Sequence, residues 1–261
     1  MENSAVLSPN VFSLEMVNAA IEAANEEKSP IILAYDENLQ KYVDIYEFTE
    51  VAKIAAQKSN IPVSLHLDHG KTFKGCMRAI HANFSSIMVD RFSPSYEDNV
   101  KEIKELVKIA HSLDVSVEAE LGGIDPDGKY NDKALVDPNL AIKFINETNI
   151  DALAVVIVHG LYEESKVEID FKRLKVIKEK VDIPLVLHGG SAAGDEQLQE
   201  ACSLGINKVN IGYELDIAAV ESLTSSPENL IDDYEFPQRI FATCKRYKEN
   251  IKHYIRLVNN Q

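Results

Sequence analysis

Short apolar runs rich in β-branched residues alternate with longer amphipathic stretches from one end of the chain to the other. The runs cover 5–7 (weakly), 31–35, 63–67, 86–89, 115–121, 152–158, 184–187 and 208–211. A stretch with apolar residues at helical spacing follows each one, around 13–27, 44–59, 72–83, 96–113, 138–148, 170–181, 195–203 and 214–222. Eight repeats of strand then helix predict an α/β fold with a parallel sheet, and the length suits a single (β/α)8 TIM barrel. A doubly wound sheet alternates in the same way. It is the poorer reading, because no GxGxxG follows the first run and the polar, metal-capable residues are spread over many strand ends.

No Gly/Ser linker or shift in composition marks a boundary, so a single domain over 1–261 is expected. Its barrel covers about 1–222 and a C-terminal helical extension covers about 223–261. The extension exceeds the eight units and is expected on the outside of the barrel or at an oligomer interface. The acidic, Gly-containing stretch 122–132 follows the fifth strand. In a barrel it would lie over the catalytic face as a lid or a solvated loop.

Composition narrows the classes. Asp and Glu number 42 against 27 Lys and Arg, a formal net charge of −15, and no basic run is large enough to offset it. Nucleic-acid and anionic-membrane binding are therefore not expected. Cys76, Cys202 and Cys244 are scattered and odd in number, which reads as free thiols in a reducing compartment. With no basic-then-apolar leader and no apolar run near ~18 residues, a cytoplasmic globular protein is expected.

The chemistry gathers at strand ends. The third run leads into Asp68-His69-Gly70, the sixth ends at His159-Gly160, and the seventh leads into His188-Gly189-Gly190-Ser191. Barrel strands converge at their C-terminal ends, so His69, His159 and His188 could close on one ion. Three neutral imidazoles with an open position suit a catalytic divalent cation, most often Zn²⁺. His81, His111 and His253 lie in helical stretches and read as structural. Gly189-Gly190-Ser191 and Asn210-Ile211-Gly212 follow the last two strands, where backbone N–H groups and helix N-termini commonly hold phosphate. Glu118 and Glu120 share one face of the fifth strand, and Asp90 closes the fourth. They bind a second metal or a monovalent cation, or else form a polar rim satisfied by Lys and Arg; both readings stay open.

LHLDHG at 65–70, VEAELG at 117–122, HGLY at 159–162, LHGGS at 187–191 and KVNI at 208–211, in this order and spacing, resemble class II, metal-dependent ketose-bisphosphate aldolases of the fructose and tagatose group. The likeness covers almost the whole chain, including Asn10 before the first helix. It implies Zn²⁺, or another divalent cation, on His69, His159 and His188. It implies Asp68 as the acid/base that exchanges a proton with the C4 hydroxyl, and a Lewis-acid ion that stabilises the enediolate of dihydroxyacetone phosphate or a close analogue. Gly160, Gly189, Gly190, Ser191 and Asn210 would hold the ketone phosphate, with Gly212 and Tyr213 beside them. Asp90 and Glu120 would form an accessory metal site, and a homo-oligomer is implied. Several positions depart from the family. Its Asn-Ile-Asp-Thr run reads Asn210-Ile211-Gly212-Tyr213, its Gly-Ser after the fourth-strand Asp reads Arg91-Phe92, and the Gly-Thr pair before His159 is absent. A family serine near the end of the second strand reads Asp36, and the first-strand Phe reads Pro9. Tyr213 is expected to fill volume where a short hydroxyl stood, and the lost carboxylate removes an acceptor for a sugar hydroxyl. A C–C lyase with an altered sugar-phosphate substrate is therefore expected. The alternatives are a metal-binding barrel without turnover that serves as a binding or assembly subunit, and a metal-dependent hydrolase. The hydrolase ranks last, since the first strand lacks a His-x-His pair.

Overall fold

A computed structural model of the chain describes residues 4–90, 95–124, 130–131, 135–159, 167–225 and 235–260. Eight strands close a parallel barrel: β1 (Val6–Pro9), β2 (Ile31–Asp36), β3 (Val63–Gly70), β4 (Ser86–Val89), β5 (Ser116–Leu121), β6 (Ala152–Val155), β7 (Leu185–Leu187) and β8 (Ile206–Ile211). β1 pairs with β2 on one side and with β8 on the other, which leaves the sheet no edge. The helices between them are α1 (Leu14–Glu26), α2 (Ile45–Ala56), α3 (Phe73–His81), α4 (Tyr96–His111), α5 (Pro138–Thr148), α6 (Phe171–Lys178), α7 (Asp195–Ser203) and, after β8, α8 (Tyr213–Thr224). The predicted barrel is the observed one.

Local chemistry explains where the helices begin. Ser13, Asp44, Thr72, Ser95, Asp137 and Asp170 each accept a backbone N–H from the first turn of α1 to α6, satisfying donors that the helix itself cannot pair. Strand alternation then divides the apolar residues. One set packs between strands and helices as the main core, and Met88, Ala154 and Val186 meet separately inside the barrel.

The extension folds as α9 (Glu235–Val258), which buries Tyr247, Ile251, Ile255 and Val258 on one face against α1, α7, α8 and β1. Lys248 and Lys252 pair with Glu22 and Glu26 of α1 along its margin. The hydroxyl of Tyr247 donates to the carbonyl of Asn10 at the end of β1. Among the described residues, no helix is long and apolar enough to cross a membrane.

One expectation is corrected. The sixth strand ends at Val155, short of the apolar run 152–158, because the carbonyls of Val156 and Ile157 accept from Val136 and Asp170 outside the barrel ladder. Val158–His159 instead pairs antiparallel with Glu168–Ile169. Within 122–132, Gly123–Ile124 pairs antiparallel with Tyr130–Asn131, and 125–129 and 132 lie outside the described residues.

Candidate active site

β3 carries one residue more than its neighbour. Leu67 pairs with Ile87 and Gly70 with Val89, so three steps on β3 match two on β4. The extra residue falls at Asp68-His69, and His69 takes a left-handed backbone at φ 48°. A bulge of this kind re-aims side chains at a strand end. Regular alternation would turn Asp68 and His69 to opposite faces; here ligand atoms of both lie within 4.8 Å of each other and of His188, which follows β7. The His69 and His188 ring centroids are 5.0 Å apart.

Asp68 is 2% exposed, and each of its oxygens accepts from an amide. Asn10 Nδ2 is 2.7 Å from Oδ2 and Asn210 Nδ2 is 2.8 Å from Oδ1. Burial alone pushes the carboxyl up, but His69, His188, Lys208 and His66 together hold it below the ordinary aspartate value. Asn10 is fixed in turn by its own backbone, whose N–H donates to Ile211 at 2.9 Å and whose carbonyl accepts from Tyr247. A Cβ at position 212 would lie 2.5 Å from Asn10 Oδ1, so any other residue there would make the Asn10 amide or the backbone shift.

A second group joins His69, Asp90 and Glu120, again with ligand atoms within 4.8 Å. His69 Nδ1 lies 3.4 Å from Asp90 Oδ2. Burial opposes a charged imidazole, yet Asp90, Asp68 and Glu120 outweigh it and push His69 up to about 10. Burial raises Asp90 less than His69, Lys71 and His188 together lower it, whereas in Glu120 burial wins and the carboxyl is raised.

Deeper in the barrel, Glu118 is 3% exposed and bonded to Lys208 Nζ at 2.6 Å and to His188 Nε2 at 3.1 Å. For Glu118 the reading of a carboxylate satisfied by a basic residue is therefore the observed one. Burial and then Lys208 push the imidazole of His66 down to about 3. Sequence reasoning left Lys208 and Asn10 without a role of their own. The signal was available for Lys208: a lone lysine in an apolar strand, two residues from Asn210, must face inward with it and find a partner.

The remaining expected residues are placed as follows. His159 is exposed on the short ribbon beyond β6 and, among the described residues, belongs to neither cluster. Gly160, Arg91 and Phe92 lie outside the described residues. Gly189, with φ 67°, turns the chain from β7 into the 3₁₀ turn Gly190–Ala193, which contains Ser191. Asn210 sits in the Asp68 cluster. Tyr213 starts α8 and is 74% exposed, so it does not fill the site volume expected of it.

Comparison with known proteins bears on this arrangement. A sequence model of the family described as Fructose-bisphosphate aldolase class-II matches residues 1–261. A fructose-bisphosphate aldolase of Helicobacter pylori is 39% identical, over 81% of this chain and 78% of its own. The crystal structure of the YdjI aldolase from Escherichia coli K12 superimposes with a TM-score of 0.87 at 32% identity, covering 98% of this chain and 91% of that one. A putative fructose-1,6-biphosphate aldolase from Coccidioides immitis gives 0.84 at 26% identity, with coverages of 98% and 91%.

Proposed function

The chain belongs to the class II fructose-bisphosphate aldolase family, and we propose that it is a divalent-metal-dependent aldolase, with Zn²⁺ the first choice of ion. Its substrate is of the ketose-phosphate type. The observation that carries this reading is the Asp68 cluster: a buried carboxylate, fixed through both oxygens, within 4.8 Å of two imidazoles. The donor set suits such an ion, since it offers imidazoles and an excess of carboxylates around His69. His69 and His188 would hold it with His159, which lies beyond the C-terminal end of β6 and so on the same side of the barrel. A bound divalent ion supplies a Lewis acid for the substrate ketone.

The residues of the chain do the rest. Asp68 accepts the proton of the C4 hydroxyl as the C3–C4 bond breaks and its electron pair passes to the ketone half. In the condensing direction Asp68 returns that proton. The amides of Asn10 and Asn210 fix the plane of the carboxylate and leave lone pairs for the substrate. Gly160, Gly189, Gly190 and Ser191 would take the phosphate through backbone N–H groups and a hydroxyl, with Asn210 and Gly212 beside it. Asp90 and Glu120 would hold an accessory cation, divalent or monovalent. Loss of a carboxylate at Gly212 supports an aldehyde half other than that of an unmodified hexose bisphosphate.

We read the assembly as a homo-oligomer and its compartment as cytoplasmic. Val220, Phe236 and Phe241, apolar and exposed on α8 and α9, support the former. The central test is elemental analysis with aldol assays over a panel of ketose phosphates. The purified chain is expected to carry a tightly bound divalent ion and to lose activity with chelator and regain it with the ion. The His69, His159 and His188 alanine variants should each hold less metal; equal metal in all of them contradicts the reading.

A further inference from the structure

Glu118 spends its two oxygens on two partners. Oε1 lies 3.1 Å from His188 Nε2, and Oε2 lies 2.6 Å from the Lys208 ammonium. Lys208 and Glu118 are both buried, so water does not compete for the bond between them. The same ammonium lies 3.2 Å from His66 Nε2. An ammonium has only donors to offer, so His66 presents a lone pair at Nε2 and carries its proton on Nδ1, which donates to Ser86 Oγ at 2.8 Å. A carboxylate between two donors only accepts. His188 therefore carries its proton on Nε2, and its free lone pair is on Nδ1.

A continuous chain of donors and acceptors thus runs Ser86, His66, Lys208, Glu118, His188, drawn from β4, β3, β8, β5 and the end of β7. His66, Lys208 and Glu118, at its centre, are all buried. We propose that Glu118 is a positioning residue of the metal centre: it fixes the ring and tautomer of His188 so that Nδ1 meets the ion, while Lys208 holds its other oxygen in place. This rests on the reading of His188 as a metal ligand. Carboxylates that accept from a ligating imidazole typically contribute about 10–100-fold to metal affinity.

Removing Glu118 alone would strand a buried ammonium and threaten the fold. Two charge-neutral double variants avoid this. Lys208→Met/Glu118→Gln keeps an acceptor oxygen for His188 Nε2, and its amide N–H₂ faces His66 Nε2, which lies 3.7 Å from the present Oε2. Lys208→Met/Glu118→Leu keeps neither. Thermal melts in chelator establish that each is folded, Zn²⁺ dissociation constants come from chelator competition, and Co²⁺ substitution gives an absorption spectrum of the ligand field. The glutamine pair is expected to bind Zn²⁺ about as tightly as the unaltered chain and to keep its Co²⁺ spectrum. The leucine pair should bind about 10–100-fold more weakly with a shifted spectrum. Equal affinity in the two pairs, high or low, overturns the proposal. An unaltered chain that binds no divalent ion overturns the metal reading beneath it instead.

Discussion

His66 and His69 stand three residues apart on β3, and their surroundings push them in opposite directions. Burial and the Lys208 ammonium drive His66 down to about 3, while Asp90, Asp68 and Glu120 outweigh burial and drive His69 up to about 10. The difference separates two regions of one barrel. In the interior, Glu118 and Lys208 cancel each other, His66 stays neutral between donor and acceptor, and the polar layer is complete without any ligand. At the mouth, three carboxylates crowd one imidazole, and no lysine or arginine ion pair to Asp68, Asp90 or Glu120 is found among the described residues. A buried charge needs a partner. The interior supplies its own, and at the mouth the proposed cation would supply it.

The largest effect should come from breaking the mouth at its proton-transfer group. Asp68→Asn keeps the volume and can still meet one of the two asparagine amides, but it cannot accept a hydroxyl proton. Activity is expected to fall by about 10²–10⁴-fold, with metal content unchanged. Steady-state kinetics beside elemental analysis check this. Near-normal turnover would demote Asp68 to a supporting role.

Much of this contrast was legible in the sequence, and the part that was not has a physical reason. Strand-to-helix alternation carried the barrel, and strand-end histidines carried His69 and His188. What alternation cannot reveal is a bulge, so the joint presence of Asp68 and His69 in one cluster followed from the family resemblance and not from the strand pattern. The apolar run 152–158 continues past the point where its carbonyls leave the ladder, which is why His159 was read as a barrel-strand end and is found on a side ribbon. Glu118 and Lys208 are ninety residues apart in sequence and meet only because the barrel closes. Asn10 was visible as an asparagine before the first helix, but its bond to Asp68 joins residues 58 apart and forms only as the barrel closes.

A smaller effect separates the regions by pH. His66 is depressed to about 3 in the folded chain, so between that value and the ordinary imidazole range near 6.5 the unfolded chain binds a proton that the folded chain refuses. Stability is therefore lost as pH falls through this window, by up to about 1.4 kcal/mol per pH unit. Glu118, held below its usual range, adds its own loss only once pH falls under about 4.5. Denaturant melts between pH 6.5 and 4.5 should show the decline in the unaltered chain and a flatter profile in His66→Gln. That variant can donate to Ser86 and accept from Lys208 without taking a proton. Equal slopes in the two would mean that the interior layer is not the source.

The smallest expected effect lies at the rim, at the residue that most departs from the family in size. Tyr213 occupies a position where a short hydroxyl was anticipated, and volume alone suggested that it would narrow the site. Its ring is instead 74% exposed at the first turn of α8, so truncating it opens no cavity in the core. Exposed substitutions away from buried networks usually change stability by less than about 0.5 kcal/mol, and the same argument applies to substrate affinity where a side chain lies in solvent. Gly212 is different. A Cβ there would stand 2.5 Å from Asn10 Oδ1, and the Nδ2 of that same amide donates to Asp68. On the proposed reading, a change in specificity would follow from position 212 more than from 213. Tyr213→Thr should leave kcat/KM within about twofold on every ketose phosphate tested. The unaltered chain and this variant should both fall below the ordinary enzymatic range of about 10⁴ M⁻¹s⁻¹ on fructose 1,6-bisphosphate. If the threonine variant alone rose into that range, the ring of Tyr213 would be the barrier after all, closing over the site once substrate is bound.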